Sequence, residues 1–301
     1  QIPSIPPTPI TNFIQPAILE LHSNMSKETY LTKAEDIIER IHNGELYQAN
    51  LTRKFGGRFA TLPNSFALFK KLCEVSPASF SAYIRIQNRQ ILSSSPELFL
   101  AVDKDRNITV QPIKGTSPRF NDPQADKASK ERLSQSTKDK AENLMIVDLM
   151  RNDLARSSIP GSIRVDSLFD ITSHATIHHM SSTITSKLRK DKTAIETVKA
   201  CFPPGSMTGA PKIRAMELCG MLEGTERGVY SGTIGFFTGN GECALSVVIR
   251  TLLIEDDRFE FQVGGGIVAD SNPQAELEEL LGKSRGIANA LDISMSNLEN
   301  L

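Results

Sequence analysis

Residues 230–263 read YSGTIGFFTGNGECALSVVIRTLLIEDDRFEFQV, and this stretch decides the fold class. β-branched and aromatic residues dominate three runs: Tyr230 to Thr238, Ala244 to Ile254 and Arg258 to Val263. Gly239-Asn240-Gly241 and Glu255-Asp256-Asp257 separate them as hairpin turns. Gly264-Gly265-Gly266 is expected to break the last strand, and residues 274–290 read as a closing helix. Consecutive hairpins interspersed with helices predict an α+β domain with antiparallel sheet, not a βαβ parallel sheet.

Upstream, the same signals repeat. Short strands are predicted over 80–85, 90–92, 98–102 and 108–113, with turns at Asn88 and Asp103–Asn107. A helix is expected from Ser26, an N-cap, with Tyr30, Ala34, Ile37, Ile38 and Ile41 on one face and Asn43-Gly44 closing it. A strand from Leu46 to Lys54 follows. Residues 120–141 are polar and read as a mobile loop leading into a helix over 141–155. Further helices are expected over 193–201 and 211–222. Five prolines within residues 1–17 mark 1–20 as a Pro-rich stub, with one domain over 21–295.

The chain has 301 residues and a net charge of −1, so charge makes no case for nucleic acid or an anionic membrane as partner. No apolar run approaches the ~20 residues of a membrane span, and the N-terminal segment lacks a signal-peptide pattern. Cys73, Cys201, Cys219 and Cys243 are widely spaced, without a C-x-x-C pair. Reduced thiols and a cytoplasmic location are expected.

Several constellations bear on chemistry. Asp139 and Glu142 are three apart on one predicted helix; Glu276 and Glu279 are three apart on another, with Lys283 one turn on. They are either two solvated helix faces or, if the helices converge, an oxygen-only site suited to Mg²⁺. Lys114, in Pro112-Ile113-Lys114-Gly115-Thr116 at a strand end, is either a surface charge or an amine presented to a cleft. Glu97, behind Ser95-Pro96, is either a strand-end surface acid or a general acid kept protonated by burial. Gly209, ahead of the helix at Pro211, and Gly264-Gly265-Gly266 offer backbone N–H groups to an anion, though neither has P-loop spacing. His178-His179 lacks zinc spacing, and Arg250, in the middle of an apolar strand, suits a carboxylate.

Together these segments resemble the chorismate-utilising enzymes. The resemblance runs from about Tyr30 to Leu291. It is carried by Gly44-Glu45-Leu46-Tyr47-Gln48, Ser95-Pro96-Glu97, Lys114-Gly115-Thr116, residues 148–154, Gly209-Ala210-Pro211-Lys212, residues 227–232 and residues 264–271, seven motifs in order. It implies a layered α/β/β/α core with two antiparallel sheets. It also implies Mg²⁺ at Glu142 and Glu279, with Asp139 and Glu276 beside them. Tyr230, Arg250, Gly265, Gly266 and Lys283 would hold the substrate carboxylates. Thr116 and Gly209 would line the pocket, and His179 would sit by the ring as a catalytic residue. Gln48, counted among the substrate-binding residues, stands where water-adding members carry a Lys base, so hydroxylation is not expected. Lys114 is similar to the residue of the aminodeoxychorismate synthase branch, where anthranilate synthases have Ala. The implied reaction is amination of chorismate by ammonia from a glutamine amidotransferase subunit, in a heterodimer, with Lys114 attacking the ring and Glu97 protonating the departing hydroxyl.

Overall fold

The structure is a computed structural model that describes residues 16–174 and 177–301. β1 (Ile18–Ser23) precedes α1 (Lys27–His42). The Ser26 hydroxyl caps α1 by accepting from the Thr29 amide, and Tyr30, Ala34 and Ile37 form its buried stripe. The long β2 (Gln48–Phe59) and α2 (Ser65–Val75) follow. Next come β3 (Phe80–Ile86), β4 (Arg89–Ser95), β5 (Leu98–Val102), β6 (Asn107–Gln111) and β7 (Ile113–Pro118). Helices α3 (Pro123–Gln135) and α4 (Thr137–Ala155) lead to β8 (Arg164–Ser173) and β9 (Ile177–Lys187). Then come α5 (Ala194–Cys201), the two-residue β10 (Gly209–Ala210) and α6 (Lys212–Glu223). The hairpin region supplies β11 (Thr233–Phe237), β12 (Cys243–Val247), β13 (Thr251–Glu255) and β14 (Arg258–Ile267). Helices α7 (Pro273–Ala290) and α8 (Met295–Glu299) complete the chain.

Two antiparallel sheets result, as the resemblance implied. One runs β1-β2-β14-β13-β4-β3, with β10 against β2; the other runs β11-β12-β5-β6-β9-β7, with β8 against β9. Each sheet has its own apolar core. Helices α1, α2, α6 and α7 cover the first, where Tyr30, Phe55, Leu68, Leu218 and Leu280 meet; α4 and α5 cover the second around Leu100, Ile146, Leu154 and Ile184. All four cysteines are free, as expected.

Four expectations need correction. Residues 120–141 are not a loop: Asp122 caps α3 with Pro123 in its first turn, and Ser136 caps α4. Only Ser129 and Leu133 of α3 are buried, so the helix shows almost no apolar periodicity. Residues 244–254 are not one strand. The run divides at Val248–Arg250 into β12 in one sheet and β13 in the other, and Arg250 takes a left-handed φ of 50°. The three glycines do not end β14 but continue it, Gly264, Gly265 and Gly266 pairing with Thr52, Leu51 and Asn50. Residues 18–20, assigned to the stub, open β1 and pair with β2; residues 1–15 lie outside the described residues.

The connection from β4 to β5 makes the same passage between sheets as β12 to β13. β4 pairs with β13 and β5 with β12, so one antiparallel pair of chains runs through both sheets. The switch points are bonded to each other: the Val247 amide donates to the Glu97 carbonyl at 3.0 Å, and the Ser94 amide to the Arg250 carbonyl at 3.1 Å. Glu97 and Arg250 are thus carried on one double crossing.

Candidate active site

A cavity of about 400 Å³ lies beside this crossing. Its walls include Glu97 and Arg250 from the crossing, Lys114 and Thr116 from β7, and His179 from β9. Asp139 and Glu142 enter from α4, Glu279 and Lys283 from α7, and Tyr230 from the segment before β11. Ten of the residues expected at the site therefore line one cavity, and the two acidic helices do converge.

Burial holds the Glu97 carboxyl up at about 7, against opposing contributions from the Ser206 hydroxyl, Lys114 and the Ile113 backbone. A carboxyl so placed keeps about half its population protonated at pH 7, and that form can donate. The expected consequence is a loss of kcat/KM as pH rises through about 7, and a low, pH-flat rate for Glu97→Gln; an unchanged profile in that variant excludes Glu97 as the acid. The same shift acts on stability. The folded value lies above the ordinary glutamate value of 4.5, so this contribution is complete below 4.5 and is lost as pH climbs through about 7.

His179 is driven down to about 3, first by burial and then by the Arg250 and His174 charges, so its ring is neutral. Arg250 Nη2 lies 3.4 Å from His179 Nε2, which assigns Nε2 as acceptor and the proton to Nδ1. His179 therefore steadies Arg250 and does not supply a proton at neutral pH. Desolvation raises the buried Tyr230 phenol, keeping it a neutral hydrogen-bond donor.

The carboxylates are not free. Glu142 Oε1 accepts from Lys114 Nζ at 2.6 Å and from Gln48 Nε2 at 2.7 Å. Glu279 pairs with Lys283 at 2.8 Å, and Lys283 also donates to the Gly264 carbonyl. The Lys283 charge is the main reason that the Glu279 carboxyl falls to about 2. Glu276, one layer behind the wall, takes Lys138 Nζ at 2.6 Å and the Ser271 hydroxyl at 2.7 Å. Only Asp139 has no lysine; burial raises its carboxyl. The donor set is all oxygen and fits a hard divalent cation in kind. Yet among the described residues no three acidic, His or Cys side chains stand close enough to hold a metal between them. Glu142, Glu276 and Glu279 are each paired with a lysine instead.

The glycines differ in purpose. A Cβ on Gly266 would overlap Gln48 Nε2 and Glu142 Oε1 and stand 3.2 Å from Lys114 Nζ; one on Gly265 would meet Glu276 Oε2 at 3.5 Å. Both support the acidic cluster from behind and neither lines the cavity. Gly209 does not line it either: β10 carries it against β2, where a side chain would overlap the Gln48 carbonyl. Lys138 and Ser206 escaped the sequence reading. For Lys138 a signal existed, because a cation in the first turn of a helix opposes the helix dipole and needs a partner.

Residues 4–289 match the family described as chorismate binding enzyme, and the chain belongs to that family. Aminodeoxychorismate synthase component 1 of Salmonella typhimurium is 42% identical over 270 residues, covering 90% of this chain and 59% of that protein. Anthranilate synthase component 1 of Synechocystis is 37% identical over 282 residues, covering 91% of this chain and 55% of that protein. The crystal structure of anthranilate synthase component I from Streptococcus pneumoniae superposes with a TM-score of 0.81 at 30% identity, covering 90% of this chain and 60% of that one. The chain thus spans rather more than half the length of these relatives.

Proposed function

We propose that this chain aminates chorismate, as the first component of an aminodeoxychorismate synthase, giving 4-amino-4-deoxychorismate and water on the route to p-aminobenzoate and folate. The observation that carries the reading is a buried primary amine, Lys114 Nζ, on the wall of the cavity that also holds the protonated Glu97. Nζ first loses a proton, for which Glu142 Oε1 is the acceptor in contact. Its electron pair then attacks the ring, the double bonds shift and the C4–oxygen bond breaks. Glu97 protonates the departing hydroxyl, which leaves as water. Ammonia forms the new C4–nitrogen bond, the bond to Nζ breaks, and its electrons return to Lys114. The incoming nitrogen gives a proton back to Glu97, and Glu142 returns the first proton to Nζ. Arg250 and Lys283 offer the substrate carboxylates their counter-charges. Mg²⁺, held by Glu142 and Glu279 with Asp139 and Glu276 beside them, would supply a further counter-charge to the substrate dianion.

Relatives named component 1 imply a second component, and we assign the ammonia supply to a glutaminase subunit in a heterodimer. No helix among the described residues is long and apolar enough to cross a membrane. With four free thiols, that is compatible with a cytoplasmic enzyme. The 37% relative keeps anthranilate synthesis as the second reading, with amination at C2 and loss of pyruvate. Weighing the product of the chain with chorismate, Mg²⁺ and ammonium separates the two. A non-catalytic homologue would give neither product. The cation reading carries its own expectation: excess chelator abolishes turnover, as do Glu142→Ala and Glu279→Ala. Full activity in chelator refutes it.

A further inference from the structure

Four carboxylates at the α4–α7 face, counted as ionised, meet three lysines: Lys114 on Glu142, Lys138 on Glu276 and Lys283 on Glu279. One net negative charge remains. A divalent cation added to the full set overcompensates it by one, and the departure of a single lysine restores neutrality. Two of the three are anchored. Lys114 is buried and central to the cavity wall, and Lys283 has a second bond to the Gly264 carbonyl. Lys138 differs in its bonding: its one hydrogen bond is to Glu276, whose side chain is 2% exposed, and at 39% its own side chain is about as open as that of Lys283 at 37%. Its place in the first turn of α4 sets its charge against the helix dipole. Glu279 and Glu142 act on it electrostatically as well as Glu276. Glu276 keeps the Ser271 hydroxyl if Lys138 leaves.

We propose that Lys138 is an exchangeable counter-cation: its ammonium neutralises Glu276 while the site holds no metal, and it swings to solvent when a divalent cation binds. The proposal rests on the Mg²⁺ reading above. Lys138 thereby sets cation affinity without touching substrate, as a positioning residue.

Mn²⁺ alone, titrated into chelator-treated protein and followed by loss of the free-ion electron paramagnetic resonance signal, tests it without turnover. Lys138→Gln is expected to bind Mn²⁺ about tenfold more tightly than the wild type, the usual scale of coupling between two sites. Lys138→Arg, which keeps the charge, is expected to match the wild type within about twofold. In chelator Lys138→Gln melts lower than the wild type, because Glu276 is left buried without a cation, and Mn²⁺ raises its melting temperature by more. Equal or weaker Mn²⁺ binding by Lys138→Gln overturns the exchange and leaves the metal reading standing. No Mn²⁺ uptake by either protein overturns both.

Discussion

Under the proposed amination, Lys114→Ala is expected to lower aminodeoxychorismate formation by about 10³-fold or more, on the scale seen when a group acting in the transition state is removed. The amine sits on the cavity wall and has no substitute there, since Lys283 is committed to Glu279 and the Gly264 carbonyl. The residue is not the lightly packed strand end that its sequence context suggests. It is 9% exposed and bonded to Glu142. The Ala variant should therefore also lose about 1–3 kcal/mol of stability, because Glu142 keeps only the Gln48 amide on that oxygen. Lys114→Arg fails for a separate reason: guanidinium stays protonated and cannot attack. Intact-protein mass after a rapid quench, with chorismate and Mg²⁺ but without ammonia, should show an adduct on the wild type and none on Lys114→Ala. Near wild-type amination by the Ala variant reduces Lys114 to an electrostatic role and returns the assignment to anthranilate synthesis.

Gly266→Ala should disable the site while sparing the fold. The atoms that an added methyl would overlap are side-chain ends, Gln48 Nε2 and Glu142 Oε1, with Lys114 Nζ close behind. Such ends can move, so the expected thermal shift is a few degrees for about 1 kcal/mol. Moving them displaces the amine and its carboxylate together, and a misplacement of about 1 Å can cost 10²-fold in rate. Gly264→Ala makes the opposite pattern, because its methyl meets the Leu51 carbonyl at 2.9 Å as well as the Thr52 methyl. Backbone cannot step aside cheaply, so that variant should lose about 1–3 kcal/mol of stability. Urea unfolding set beside kcat and KM distinguishes them, and a Gly266→Ala enzyme within twofold of wild type refutes the crowding argument.

The strands from Phe80 to Val102, helix α1 with its Ser26 cap and the closing helix α7 were legible because their signals are local. α3 was not, since a helix that buries one leucine and one serine carries no stripe to read. The division at Arg250 was hidden for a different reason. Periodicity within residues 244–254 cannot say that one half will pair with β5 and the other with β4. The site followed the same rule. Its residue types were visible, but the partner of Lys114 lies 28 positions away and that of Lys138 lies 138 away. Only folding reveals that three of the four carboxylates are already matched by lysines.

The double crossing has a mechanical meaning. Glu97 and Arg250 ride on opposite rails of a single ladder, and two backbone rungs, Val247 to Glu97 and Ser94 to Arg250, brace it at the joint. Their spacing is set by main-chain geometry, so repacking the outer helices should leave it nearly unchanged. Shearing one sheet past the other would carry the acid and the cation as a rigid unit and shift them together against β7 and α7. Adaptation in this scaffold is therefore cheapest on the walls that face the ladder, while one residue inserted into either rail would break both rungs at once.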